Sequence, residues 1–451
     1  MAASNDVYKT MDLALRVGEL LLSSGAGAAD VGAQMSNVAH ACGLRRFTAD
    51  VTFTQLSMSA QVSLEEPALI QMRQVRHRDI DYEDLTLVDH LVRDLVTGEI
   101  DREEAASRLA RIVSSGHARP RWAVTVGLGV MGAGVGLVLG GDWVVAVIAF
   151  AAALGIDVIQ RFLERRRLPM FYQQVAGGLF ATLLTVAVVA AGIHVAPSRV
   201  ITASIILLLA GVSFMGAIQD ALTGFPLTAG ARILEAMIAT AGVIAGVSGG
   251  LTIARVSGVD VGRLNPGAAT FADVPLMAAG AAVTAAAYAF SSYAPYRALL
   301  PIAAIAAVAT LLYQVIYQRG FGIAWASAVA AVVVGLTSFS LSGRARVPAL
   351  AVVVSAIVPL LPGLSIYRGL TLLTEGGSAG LLPMINAAAI AIALSSGVIL
   401  GEYIAQPVKR EARRLERRLA GPRLVGPMTV HATRRRHRER RQAQERSGDG
   451  G

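Results

Sequence analysis

The chain carries one cysteine in 451 residues, Cys42, which excludes an intramolecular disulfide and any Cys-rich zinc or iron–sulfur site. Lysine is nearly as scarce. Only Lys9 and Lys409 occur, neither in a Gly-Lys-Ser/Thr context, so a phosphate-binding P-loop is excluded. Charged residues make up 16% of the chain, against about 25% in an ordinary soluble domain, which excludes an all-soluble protein. No cofactor and no metal site is expected.

What is present is apolar: 54% of the residues are hydrophobic. Only 22 of the 71 Asp, Glu, Lys and Arg residues fall between Trp122 and Gln406, so one central apolar block stands between two polar ends. Crossing a hydrocarbon core of about 30 Å takes about 20 apolar residues. The block divides into ten spans near 122–140, 143–161, 173–195, 199–219, 232–254, 273–292, 298–317, 321–341, 347–369 and 383–405. Arg161, Arg165, Arg166 and Arg167, then Arg344 and Arg346, then the tail from Lys409, all fall on one side of that arrangement. The positive-inside rule makes that side the cytoplasm and places both termini there. The net charge of +9 therefore reads as a membrane flank meeting lipid headgroups, and nucleic acid is not an expected partner. No signal peptide is recognisable at the N-terminus.

Residues 1–120 have the pattern of a small cytosolic α+β domain. Leu13, Val17, Leu20, Leu21 and Ser24 share one helical face, Ser23 to Gly27 interrupts it, and Val31, Met35, Val38, Ala39 and Cys42 continue it as a second helix. Alternation at Phe47, Ala49, Val51 and Phe53, then Leu56, Met58, Ala60 and Val62, predicts one or two short strands. Asp101 and Glu104 have capping-box spacing, predicting a helix over 101–115 with a partner over 83–97. Cys42 reads as a buried, inert thiol. His77, among Arg73, Arg76 and Arg78, reads as part of a solvated basic face rather than a phosphate site.

Spans four and five resemble spans nine and ten at an offset of 147, pairing Arg199 with Arg346, Gly216 with Gly363, Met237 with Met384 and Ser248 with Ser395. Duplicated units of five spans must face opposite ways, the inverted-repeat logic of secondary transporters, whose sites lie near the midplane among interrupted helices. The expected fold is thus an all-α polytopic membrane protein of two inverted five-helix repeats, 121–255 and 273–406, joined by an extracytoplasmic linker, 256–272. The α+β domain precedes them and a basic cytosolic tail, 407–451, follows. Pro359, Pro362 and Gly363 interrupt span nine, and Gly211 and Gly216 fall in span four. These positions read either as a substrate pathway or as packing kinks between small-residue helices.

Charge within the block costs about 2.5 to 3.5 kcal/mol per residue, so each such residue is a functional candidate with a partner to find. Asp220, Arg232 and Glu235 surround the connection of the duplicated unit and suit a substrate or proton pathway, or else an interfacial ion cluster. Asp157 has Arg161 one turn away, and Glu402 has Lys409 nearby, as local partners. Gly246-Val247-Ser248-Gly249-Gly250 fits G-x-S-x-G, and with His194 admits an intramembrane serine hydrolase. No Asp stands ready to orient that histidine, and the pattern arises readily in a Gly-rich helix.

Three segments together resemble the threonine/serine exporter family of bacterial inner-membrane carriers: Leu20 to Ala26, Gln219 to Phe225 with Ala231 to Glu235, and Val358 to Gly363 with Tyr367-Arg368. The resemblance implies ten spans, a cytosolic N-terminal domain, and export of threonine and serine against protons, without an enzyme activity. Some relatives look like succinate exporters, so a small dicarboxylate remains an alternative substrate. A membrane sensor is the rival from another class. Arg232 would suit a substrate carboxylate, and Asp220 or Glu235 an ammonium group or a proton.

Overall fold

The structure, a computed structural model, describes residues 2–61, 67–75, 78–193, 195–209, 211–259, 274–362, 365–366, 368–369, 372 and 380–419. His77, His194, Gly363 and most of the 256–272 linker lie outside the described residues. The chain divides into two units, 1–405 and 406–451, the second described only over 406–419, which is helical.

The amino-terminal domain contains helices α1 (Ala2–Ser23) and α2 (Ala28–Ala41), strands β1 (Phe47–Val51), β2 (Gln55–Ala60) and β3 (Leu69–Gln74), then α3 (Tyr82–Thr97) and α4 (Arg102–Ser115). Gly25, at φ +96°, turns α1 into α2, a conformation a side chain would strain. Leu13, Val17 and Leu21 of α1 meet Val31, Met35 and Val38 of α2 and Leu56 and Met58 of β2 in one core. The strands form an antiparallel meander in order β1-β2-β3. Three strands stand where the alternation predicted one or two. In β3 the apolar Ile70 and Met72 face outward, while Arg73 turns inward to pair with Asp12 (2.9 Å) and Glu19 (2.7 Å) of α1. The hydropathy of that strand is therefore inverted, and periodicity cannot find it. Asp101 caps α4 by accepting from the Glu104 N–H at 2.8 Å; the Glu104 carboxylate goes to Arg108, so only half of the expected capping box forms. Cys42 is half-buried at the end of α2, and burial pushes its thiol up, which keeps the reactive thiolate scarce.

The apolar block folds as α5 (Arg121–Val138), α6 (Trp143–Arg165), α7 (Met170–Ala190), α8 (Pro197–Ile205), α9 (Gly211–Leu222), α10 (Pro226–Val256), α11 (Val274–Ser291), α12 (Tyr296–Gln318), α13 (Ile323–Ala345), α14 (Ala349–Ile357) and α15 (Leu381–Leu419). Eight of the described helices are long and apolar enough to cross a bilayer, and the chain is a multi-pass membrane protein. Expected spans four and nine are not continuous helices. Each is broken by a 3₁₀ turn, Ile206–Leu208 after α8 and Val358–Leu360 after α14, followed by an extended residue, Leu209 or Leu361. All three tryptophans of the chain, Trp122, Trp143 and Trp325, lie at helix starts and are exposed, where amphipathic rings meet the lipid headgroups.

Several helix starts recur along the chain. Helices α5, α6 and α7 begin at Arg121, Trp143 and Met170, and α11, α12 and α13 begin 153 positions later, at Val274, Tyr296 and Ile323. The broken helices start 152 apart, at Pro197 and Ala349, and both first halves are 9 residues long. The offset of 147 is therefore not the register of the folded elements: Arg199 lies inside α8, whereas Arg346 ends α13. Composition rich in Ala, Gly and Val produces matches at neighbouring offsets, and connections of unequal length shift them. Packing repeats too. Gly246 of α10 lies so close to α7 that a Cβ would stand 2.1 Å from the Val175 carbonyl oxygen, and Gly401 of α15 lies equally tight on α13, 2.3 Å from that of Val332.

Candidate functional site

Between the two helix interruptions lies a cavity of about 310 Å³. Ile206, Leu209, Gly211 and Val212 line it from the first break, and Pro359, Leu361, Pro362 and Ser365 from the second. Thr310, Tyr313 and Gln314 of α12 close its side. Among the described residues, none that lines it is Asp, Glu, Lys, Arg or His. Thr310 is 3% exposed and its hydroxyl has no hydrogen-bond partner, while the Gln314 amide nitrogen reaches only the Met277 sulfur, at 3.6 Å. Backbone freed by a helix break is tolerated at membrane depth where it lines such a cavity. The amino end of α9 adds a partial positive charge there, suited to a carboxylate. The predicted Pro359 and Pro362 are thus brought to one cavity with the first break. Thr310 and Gln314 were not singled out from sequence, although their spacing of four, one polar face in an otherwise apolar span, is the signal that could have found them.

Asp220, Arg232 and Gly216 come together elsewhere, where the membrane helices meet the amino-terminal domain. Asp220, at the end of α9, is 1% exposed, and its Oδ1 accepts from the backbone N–H of Ala28, the first residue of α2, at 3.0 Å. Arg232 of α10 lies 3.2 Å from Asp220 Oδ2 and donates to the Ala26 carbonyl at 3.4 Å. Gly216 makes room for this guanidinium; a Cβ there would be 2.7 Å from Arg232 Nη1. The seam also holds charges supplied by the domain. Asp30, in the first turn of α2, keeps contact with solvent but is crowded by protein, and that crowding and then the neighbouring Asp220 raise its pKa. Arg78 packs its guanidinium on the Phe53 ring and donates to the Phe53 carbonyl; burial and then Arg232 bring it down to about 10. Glu235, one turn from Arg232, is exposed and does not pair with it, because Arg232 turns to Asp220 instead.

Asp157 is tied locally. Thr125 donates to it at 2.7 Å, Arg161 pairs with it at 2.8 Å and Arg121 approaches to 3.6 Å, so it fastens α6 to α5. Ser248 lies inside the continuous helix α10 with its side chain exposed, not on the strand-to-helix turn a nucleophile elbow requires. Gly246 and Gly250 of its G-x-S-x-G instead let α10 settle on α7. The hydrolase reading loses its motif to helix packing.

A second clasp joins the layers. The Tyr82 N–H donates to the Ser292 carbonyl at 2.8 Å, Arg119 donates to the Phe290 and Ala294 carbonyls, and His117 stacks on Tyr293 while bonding Asp81. Asp81, Asp84 and His117 have metal-ligand spacing, but both Asp81 oxygens are occupied, one by the Glu83 and Asp84 N–H groups and one by His117. The cluster is a helix cap. Burial, then the Asp81 charge, raise Asp84 to about 6. Asp84 in the unfolded chain loses its proton near pH 4, so the folded state holds the extra proton between about pH 4 and 6 and stability falls as pH rises through that window. Asp84→Asn is expected to flatten this dependence and raise the melting temperature at pH 7. An unchanged slope between pH 4 and 6 in thermal melts would refute the assignment.

Comparison with known proteins covers most of the chain. The family described as "Putative threonine/serine exporter" matches residues 12–254, and that described as "Threonine/Serine exporter, ThrE" matches 277–404. The "Probable threonine/serine exporter" of Mycobacterium tuberculosis is 35% identical over 417 residues, covering 90% of this chain and 78% of the relative. The "Threonine/serine exporter" of Corynebacterium glutamicum is 34% identical over 420 residues, covering 91% of this chain and 85% of the relative. No solved structure matches.

Proposed function

Because the chain belongs to the threonine/serine exporter family, we propose that it exports small neutral amino acids, threonine and serine among them, through the cavity between its two broken helices. The observation that carries this reading is the absence of any charged side chain among the described residues that line that cavity. A zwitterion brings its own compensating charges: its carboxylate is met by the amino end of α9 and its ammonium by carbonyls, with Thr310 and Gln314 left to read a side-chain hydroxyl. Succinate would bury two carboxylates without a cation, at several kcal/mol for each uncompensated charge. The volume, at the lower end of the about 300–1,000 Å³ usual for small-molecule sites, favours a small solute.

Ten passes follow if each broken helix crosses once. The repeated halves then face opposite ways, which the contacts of the amino-terminal domain support: it touches the start of α5 but the end of α11, through Arg119 and Ser292. The Arg161–Arg167 connection lies on that same side, so the domain and both termini are cytoplasmic and the protein sits in the bacterial inner membrane. Without a nucleotide-binding lysine motif, export needs an ion gradient, and the resemblance to the exporter family makes that gradient the proton motive force. In proteoliposomes, labelled threonine is expected to exchange by counterflow at least about 100-fold faster than succinate, the ratio that about 2.7 kcal/mol of charge burial imposes. Comparable succinate exchange would overturn the substrate class, and no exchange of either would favour a sensor.

A further inference from the structure

Asp220 belongs to a membrane helix, yet two of its neighbours come from the amino-terminal domain: the Ala28 N–H, which bonds Oδ1 at 3.0 Å, and Asp30, one turn into α2. The charges around it do not balance. Arg232 and Glu235 of α10, Arg78 ahead of α3, Asp30 of α2 and Glu402 of α15, which is within electrostatic reach of Asp30, make two guanidinium groups against four carboxylates once Asp220 is included. Such a set readily keeps a proton on one carboxylate. Asp220 Oδ2 has no hydrogen bond and only the Arg232 charge beside it, so it has a free lone pair. Asp30 keeps contact with water.

We propose that the two layers share one proton site, in which Asp220 takes up the transported proton, Asp30 passes it between that buried carboxylate and water, and uptake unlatches the Ala26–Ala28 turn from the membrane helices. This rests on the exporter reading above and assigns its coupling site. A proton on Oδ2 removes the charge that attracts Arg232 and the amino end of α2. The link to the substrate is α9 itself. Gly211 and Val212 line the cavity at its first turn, and Asp220 lies nine residues on, about 14 Å along one rigid helix. A latch at one end and a cavity wall at the other are a single moving part.

The test uses Gly27→Cys in a Cys42→Ser background, reconstituted in proteoliposomes with a membrane-permeant maleimide. Gly27 has φ −69°, which any residue adopts, and its Cβ would make ordinary contact, 3.5 Å, with Asp220 Oδ1. Rates are taken relative to Ser115→Cys, an exposed position that corrects for the pH dependence of the thiol. The expected ratio rises at least tenfold between pH 8 and pH 6, and in Asp220→Asn it is already high and independent of pH. Asp30→Asn is expected to slow pH-driven threonine export at least fivefold. A ratio constant across pH while threonine export proceeds would overturn the shared site and leave the exporter reading standing. Absence of threonine counterflow would instead overturn that reading. Should Asp220→Asn fail to fold, the pH comparison with Asp220 in place decides alone.

Discussion

Thr310→Val should lower threonine export, as kcat/KM per folded molecule, by about 10- to 100-fold while leaving the amount of folded protein unchanged or higher. The hydroxyl is buried and unpartnered in the cavity wall, and valine has nearly the same shape, so its removal relieves an unmet hydrogen bond and opens no void. A functional loss then has no structural explanation. The magnitude is that of one or two hydrogen bonds to a substrate, about 1.4 to 2.8 kcal/mol. Gln314→Leu, one turn along α12, should act in the same direction. Transport assays with both variants at matched membrane levels check this; unaltered kinetics in both would remove the cavity from the substrate path.

Asp220→Asn should have the larger effect on the protein itself. It leaves Arg232, 9% exposed, without its counter-charge, and breaking one member of a buried pair costs about 3–5 kcal/mol, a large fraction of the stability of a typical domain. Folded protein is therefore expected to fall severalfold. The double variant Asp220→Asn, Arg232→Met should recover the fold, since no buried charge is then left without a partner. It should not recover pH-dependent export. Normal pH-dependent export in the double variant would make the pair purely structural. Gly216→Ala gives a milder version, because the new methyl displaces Arg232 while the helix keeps its propensity.

The eight long helices were legible because a 20-residue apolar run has few alternatives, and Asp101, as a cap, marked the start of α4 to within a residue. The helix breaks were half legible. Pro359 and Pro362 announced the second, whereas the first, at Ile206–Leu208, contains only Ile and Leu and is set by what packs around it. For the seam, Asp220 and Arg232 stood out as costly charges, but the partners that position them, the Ala28 N–H and Asp30, are 192 and 190 positions from Asp220 in the chain. A backbone donor leaves no mark in a sequence. Glu235, one turn from Arg232, is exposed because a buried partner on another helix, Asp220, takes the guanidinium.

The amino-terminal domain is stacked on one end of two sets of helices whose starts recur along the chain. On the exporter reading, the halves alone would hold two nearly isoenergetic shapes, one open to each side. Latching one end by Ala28, Arg119 and Tyr82 breaks that degeneracy. Every 1.4 kcal/mol of contact made in one shape and not the other shifts resting occupancy tenfold. On that reading the domain biases which shape waits and which must be driven, while the gradients set the direction of net flux.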